Sequence, residues 1–292
     1  MDDYLLRVIA RDVGVRGFVA LTTNLANEAA EQHETLPTAT AVLGEGLTAG
    51  ILLGAMLKVQ QRVALKIEGD GPIGKVVVEG DSYGRIRGYV LHPELNFPAG
   101  MDGQDTAVAI GSKGQFVVVR DLRLKELAES VTSLQTGDIA QELTAYLNQS
   151  EQIPSLVQIG VYLDESGAVS LASALLIQAL PPYETAVVQQ LTDHIAEMPP
   201  VGELLRAGHS PEEVMALVFA GMEYEVLEKR PLTYQCNCSW DRTWKALVSL
   251  GADEVREMLE TDGRAEVTCQ FCHTEYHFDA EDLQMILAEL EA

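Results

Sequence analysis

Short apolar runs that alternate with polar residues dominate the first half of the chain. Segments 63–68, 75–79, 85–91 and 115–119 are rich in β-branched residues and bounded by glycines, so each predicts a strand. Segment 156–163 predicts another, while the run 169–180 fits either a strand or a buried helix. Helical patterns occupy 39–59, rich in Ala, Leu and Gly, and 137–149, which starts from Gly137-Asp138. Strands come in runs instead of alternating one by one with helices, which predicts an α+β fold and not a doubly wound sheet.

Pro181-Pro182 marks a boundary, because proline ends regular structure and biases the residue before it to extended geometry. The pattern then becomes helical. Val187, Val188, Leu191, Ile195 and Met198 fall on one helix face, which Pro199-Pro200 stops. Ser210, Pro211 and Glu213 form a capping-box start for a second helix with apolar face Val214, Leu217 and Val218, and Gly221 can end it. Farther on, two short helices are expected around 241–262, then a strand into a cysteine pair, then a helix from Ala280 capped by Asp279. The expected organisation is therefore a mixed strand/helix domain over 1–183, a helical linker over 184–230 and a small C-terminal domain over 231–292.

Charge narrows the choice of partners. The chain has 44 acidic and 20 basic side chains, a formal net charge of -24. Such a surface repels phosphate backbones and anionic lipid, so neither nucleic acid nor membrane is an expected partner. The start MDDYLLRVIARD carries acids where an export signal has its basic region. The uncharged run Ser166–Tyr183 is interrupted by Gln178, Pro181 and Pro182. A cytoplasmic location is expected, and there cysteines remain thiols instead of forming structural disulfides.

Cysteine is confined to the tail: Cys236, Cys238, Cys269 and Cys272. Two close pairs separated by a long insert are the usual way a chain supplies four thiolates to one tetrahedral zinc ion, and soft sulfur ligands suit zinc better than magnesium or calcium. His273 and His277 could substitute as ligands, but with four sulfurs at hand they are expected at the periphery. A permanent structural clip would use the same residues: a unit of about 60 residues buries little surface, and structural zinc adds an apparent ~10–16 kcal/mol of folding energy in small peptides. The one-residue spacer of the first pair is shorter than the two to four usual in purely structural sites. Oxidation of such a pair would eject the metal and the folding energy with it, which makes the site a candidate redox sensor.

Other signals carry less. Gly69-x-Gly71-x-x-Gly74 matches a dinucleotide fingerprint, but Pro72 and a strand follow it where that fingerprint needs a helix. Cys269-Gln-Phe-Cys272 alone could serve a thiol–disulfide oxidoreductase, yet strand-like residues flank it on both sides. Trp240 and Trp244 are expected in the core of the tail. A constitutive zinc-ribbon adaptor for a fixed partner stays open as an alternative function.

The residues GDGPIGKVVVEGDSYGRIRGYV at 69–90, SEQIPSLVQIGV at 150–161, LIQALP at 176–181, and CNCSW and VTCQFCHTEYHF at 236–240 and 267–278 resemble the redox-regulated heat shock protein 33 chaperones. The resemblance runs over nearly the whole chain. One departure is Ser173-Ala174, where the family usually has a Gly-Gly pair. The resemblance implies a non-enzymatic, ATP-independent holdase, inactive while Cys236, Cys238, Cys269 and Cys272 hold zinc. It also implies that oxidation forms the disulfides Cys236–Cys238 and Cys269–Cys272, releases zinc, destabilises the linker, and yields a homodimer that binds unfolding client proteins.

Overall fold

The computed structural model describes residues 2–97 and 105–291. The chain splits into two compact units, Met1–Gln235 and Cys236–Ala292. In the first unit the order is β1 (Tyr4–Ala10), β2 (Val15–Leu21), α1 (Thr23–Gln32), α2 (Pro37–Ala55), β3 (Arg62–Gly69), β4 (Lys75–Asp81) and β5 (Arg85–Val90). There follow α3 (Thr106–Ile110), β6 (Gly114–Asp121), β7 (Ala128–Ser133), α4 (Ile139–Gln149), β8 (Ser155–Leu163) and β9 (Val169–Ala179). The unit closes with α5 (Thr185–Glu197), α6 (Val201–Arg206), α7 (Pro211–Val218), β10 (Glu225–Pro231) and β11 (Thr233–Tyr234). Strands gathered in sheets with helices set against them make the fold α+β, as the pattern predicted.

The strands form a five-stranded sheet, β10-β1-β2-β9-β8, and a six-stranded sheet, β11-β5-β4-β3-β6-β7. Period-two alternation sends each side of the first sheet into a different core. Leu5, Phe18, Ala20, Ala174 and Leu176 join the main core around α2, together with Val63, Leu65, Val76 and Phe116 of the second sheet. Helix α2 has the length and apolarity of a membrane span, but 94% of that stretch is buried inside the protein. Gly46 and Gly50 let it lie close: a Cβ there would stand 2.8 Å from Val76 and Ile86 respectively. The run 169–180 resolves as a strand, and Ser173-Ala174 pair in regular register with Leu21 and Ala20. The Gly69–Gly74 segment is a turn between β3 and β4, where a Cβ on Gly71 would meet the Ala109 carbonyl at 2.3 Å. Close backbone approach explains that glycine without any phosphate.

The opposite side of the five-stranded sheet is apolar as well. Leu6, Val8, Val15, Val19, Leu175 and Ile177 form a second core there with Leu191 and Ile195 of α5, Val201, Leu204 and Leu205 of α6, and Val214, Met215 and Val218 of α7. The segment 184–230 thus lays its apolar faces over a sheet face that would otherwise be open. Leu217, expected on the buried face, is 40% exposed, and Met215 takes its place because the sheet lies along the 214–215–218 side of the turn. The segment ends not as helix but as β10, a charge-rich edge strand paired with β1. Polar contacts hold this cover modestly. Tyr4 Oη donates to Glu212 Oε2 at 2.7 Å and Lys229 Nζ to Glu212 Oε1 at 2.9 Å, a half-exposed cluster of the kind that adds little stability.

The capping box at the start of α7 is present: Ser210 Oγ accepts from the Glu213 N–H at 3.2 Å, and Glu213 Oε2 accepts from the Ser210 N–H at 2.8 Å. Ser210→Ala is expected to destabilise this helix by about 0.5–2 kcal/mol and to speed amide exchange across 201–218. Unchanged exchange there would contradict the assigned cap.

Candidate metal centre

The second unit contains α8 (Trp240–Leu250), α9 (Ala252–Thr261), the hairpin β12 (Ala265–Thr268) and β13 (Glu275–Phe278), and α10 (Ala280–Leu290). Its buried hydrophobic core among the described residues is Leu247, Val255, Phe278, Leu283 and Ile286. Trp244 packs against that core, whereas Trp240 stacks on Phe278 at 5.3 Å yet stays 40% exposed, more open than expected of a core residue.

Two turns carry the cysteines. Cys236 and Cys238 lie in the extended stretch that ends at Ser239, whose hydroxyl accepts from the Arg242 N–H and caps α8. Cys269 and Cys272 lie in the hairpin loop between β12 and β13. That loop is closed by the Cys269 N–H donating to the Thr274 carbonyl at 2.9 Å and the His273 N–H donating to the Cys269 carbonyl at 2.8 Å. The strand pairing from Ala265↔Phe278 to Thr268↔Glu275 fixes where the loop begins.

The turns bring all four sulfurs within 4.8 Å of one another, half-buried and not joined in disulfides. Two short approaches run between turns: Cys236 Sγ to Cys269 Sγ at 3.8 Å and Cys238 Sγ to Cys272 Sγ at 3.3 Å. Neither histidine belongs to this group. His273 is exposed in the loop with φ 54°, and His277 is exposed between Glu266 and Glu275.

Two residues that the sequence did not single out touch the sulfurs. Tyr276 Oη donates to Cys238 Sγ at 3.0 Å, and Thr274 Oγ1 lies 3.2 Å from Cys272 Sγ. The available signal was strand alternation: Thr274 and Tyr276 sit two and four residues past Cys272, on the same side of the hairpin.

The thiols differ sharply. Burial, reinforced by the neighbouring thiols, pushes Cys238 up to about 12 against the bond from Tyr276. Burial also pushes Cys269 up, although the N–H groups of Phe271 and Cys272 donate to its sulfur. Cys272 goes the other way: burial raises it, but the Thr274 hydroxyl and N–H and the adjacent thiols bring it to about 7. Cys272 can ionise readily, and Cys238 and Cys269 then resist. Two unit charges 4 Å apart repel by about 4 kcal/mol at an effective dielectric of ~20, less where water reaches them. A cation among the sulfurs reverses this, so the group has the chemistry of a metal site.

Comparisons with known proteins agree along the whole length. A family model described as Hsp33 protein matches residues 3–279. A 33 kDa chaperonin of Geobacter sulfurreducens is 43% identical over 99% of this chain and 96% of its own length. One of Geobacillus sp. is 36% identical over 100% of this chain and 99% of its own. The crystal structure of a 33 kDa chaperonin (heat shock protein 33 homolog) from Thermotoga maritima superimposes with a TM-score of 0.87 at 32% identity, covering 98% of each chain.

Tyr276→Phe removes the donor to Cys238 and leaves the ring. Metal affinity, measured by competition with a chromogenic chelator, is expected to fall by about 10-fold or more. Unchanged affinity would show the bond to be incidental.

Proposed function

This chain belongs to the Hsp33 family, and from that premise we propose that it is a redox-regulated, ATP-independent holdase chaperone that protects unfolding proteins from aggregation during oxidative stress. The observation that carries this reading is the gathering of Cys236, Cys238, Cys269 and Cys272 in a unit whose own core is very small.

Zinc is the metal that fits. Sulfurs about 2.3 Å from a central ion at tetrahedral corners stand about 3.8 Å apart, close to the separations of 3.8 Å and 3.3 Å between turns. When bound, zinc supplies a four-way cross-link and the positive charge that keeps thiolates ionised. In this reading residues 1–183 are the core domain, 184–230 a metastable linker and 231–292 the redox-sensing domain.

Each pair of thiols gives two electrons to one peroxide, so that two S–H groups and H2O2 become one disulfide and two waters. The proposed products are Cys236–Cys238 and Cys269–Cys272. Nearness in sequence supports this pairing, and all four sulfurs lie within 4.8 Å of one another in the reduced state. A disulfide sulfur is a poor zinc ligand, so the four-cysteine site loses its metal and the tail loses the folding energy tied to it. Loosening then passes along the chain to β10 and the helices α5–α7, whose departure bares Leu6, Val8, Val15, Val19, Leu175 and Ile177. An apolar sheet face of this kind suits unfolded clients of varied sequence. The active form is proposed to be a homodimer working in the cytoplasm, with no nucleic acid or membrane partner and no catalytic residue.

The test uses full-length, reduced, zinc-loaded protein treated with peroxide at mild heat. Zinc release, thiol count and aggregation of a heat-denatured client are followed together. Suppression of aggregation is expected to appear with zinc loss and to fade when reductant and zinc are returned. Equal suppression before and after oxidation would favour a constitutive adaptor or a passive binder. Cys269→Ser is expected to weaken zinc binding and disturb redox control, and an unchanged zinc content would contradict the ligand set.

A further inference from the structure

In a chain with 24 more acids than bases, one pair of arginines in the first unit is left without an acid. Arg7 on β1 and Arg16 on β2 both reach over the ring of Phe18, their guanidinium carbons 5.6 Å and 5.5 Å from its centroid. Arg16 Nε donates to the buried Gln178 Oε1 at 2.9 Å, while Arg7 Nε is buried with no hydrogen-bond partner. No carboxylate among the described residues forms an ion pair with either arginine. Burial, with the like charge of Arg7 next, pushes the Arg16 guanidinium down to about 10. Two cations have been brought together where a protein would ordinarily place an anion.

Arg16 lines a cavity of about 120 Å³ at the end of α2. Leu53, Met56, Leu57 and Val63 make one apolar side, and Leu147 and Ile153 another. The polar end holds an internal ion pair, although Arg120 Nε is buried there without a hydrogen-bond partner. Arg120 donates to both oxygens of Glu151, at 2.8 Å and 2.7 Å, and Tyr146 Oη donates to Glu151 Oε1 at 2.8 Å. Arg120 cancels Glu151, so Arg16 is the uncompensated charge on the cavity wall among the described residues. Water occupies about 30 Å³ per molecule in the liquid, so the cavity has room for roughly four waters or an acid of about six or seven heavy atoms.

We propose that this cavity is a binding site for a small monocarboxylate with a short apolar tail, its carboxylate on Arg16 and its tail among Leu53, Met56, Leu57 and Val63. Arginine offers a planar fork that matches a carboxylate, and the apolar walls select against bare inorganic anions. The site shares no residue with the cysteine cluster or with the sheet face beneath α5–α7. Its failure would leave the holdase reading untouched, and the reverse holds as well.

The experiment is calorimetric titration of the reduced, metal-loaded full chain with pentanoate, with 1-pentanol and inorganic phosphate as parallel probes. One saturable site for pentanoate is expected, with Kd on the order of 0.1–1 mM. Arg16→Gln should weaken it at least about tenfold, Arg16→Lys less so, and Leu57→Trp should block it by filling the cavity with the charges intact. Thermal unfolding of each variant separates loss of the site from loss of the fold. Three results on the unaltered protein overturn the proposal: no saturation by pentanoate well above that range, pentanol binding as tightly as pentanoate, or phosphate doing so.

Discussion

Four sulfurs within 4.8 Å of one another are compatible with their own ionisation only if positive charge sits among them. The tail depends on that condition. Its buried hydrophobic core among the described residues is Leu247, Val255, Phe278, Leu283 and Ile286, and a unit this small is marginal on hydrophobic burial alone. The two sulfur-bearing turns join the stretch before α8 to the β12–β13 hairpin, which the Tyr276–Cys238 hydrogen bond also links, while the rings of Trp240 and Trp244 pack α8 against Phe278. A metal at this point would act as the unit's largest single cross-link, and in the proposed switch the same sulfurs are the oxidisable groups. Stability and sensing then reside in the same atoms.

The first unit supplies the surface for such a switch to act on. The five-stranded sheet has two apolar faces. One is buried around α2 in a core shared with the second sheet, and the other is covered by α5, α6 and α7. The cover is held by apolar packing, one capping box, a His194–Leu217 hydrogen bond at 2.9 Å and the Tyr4–Glu212–Lys229 contacts. It carries no disulfide, and its last element is an edge strand. Five residues after β10 ends at Pro231 comes Cys236, so the cover and the cysteine unit adjoin along the chain.

The four cysteines were legible because their spacing has few other physical uses, and β3 to β6 because one face of each is buried and the other is not. What escaped has identifiable causes. β1 and β2 send residues into two different cores, so Leu5 and Leu6 are both buried and the strand shows no alternation. The same double burial left 169–180 ambiguous between strand and helix. β7 and β10 are polar edge strands, recognisable only through their partners, β6 and β1. Leu217 was misplaced because helical spacing allows two overlapping faces on α7, and the sheet decides between them. Tyr276 could not be recognised as a sulfur contact before the hairpin register was known.

The central claim is that metal at the cysteines holds the tail together and, through it, the cover on the sheet. Hydrogen exchange of the full chain, followed by mass spectrometry before and after chelation and oxidation, tests it most directly. The account predicts that protection collapses across 236–291 and then across 185–231, while α2 stays protected. Protection that persists in both segments after the metal is gone would contradict it.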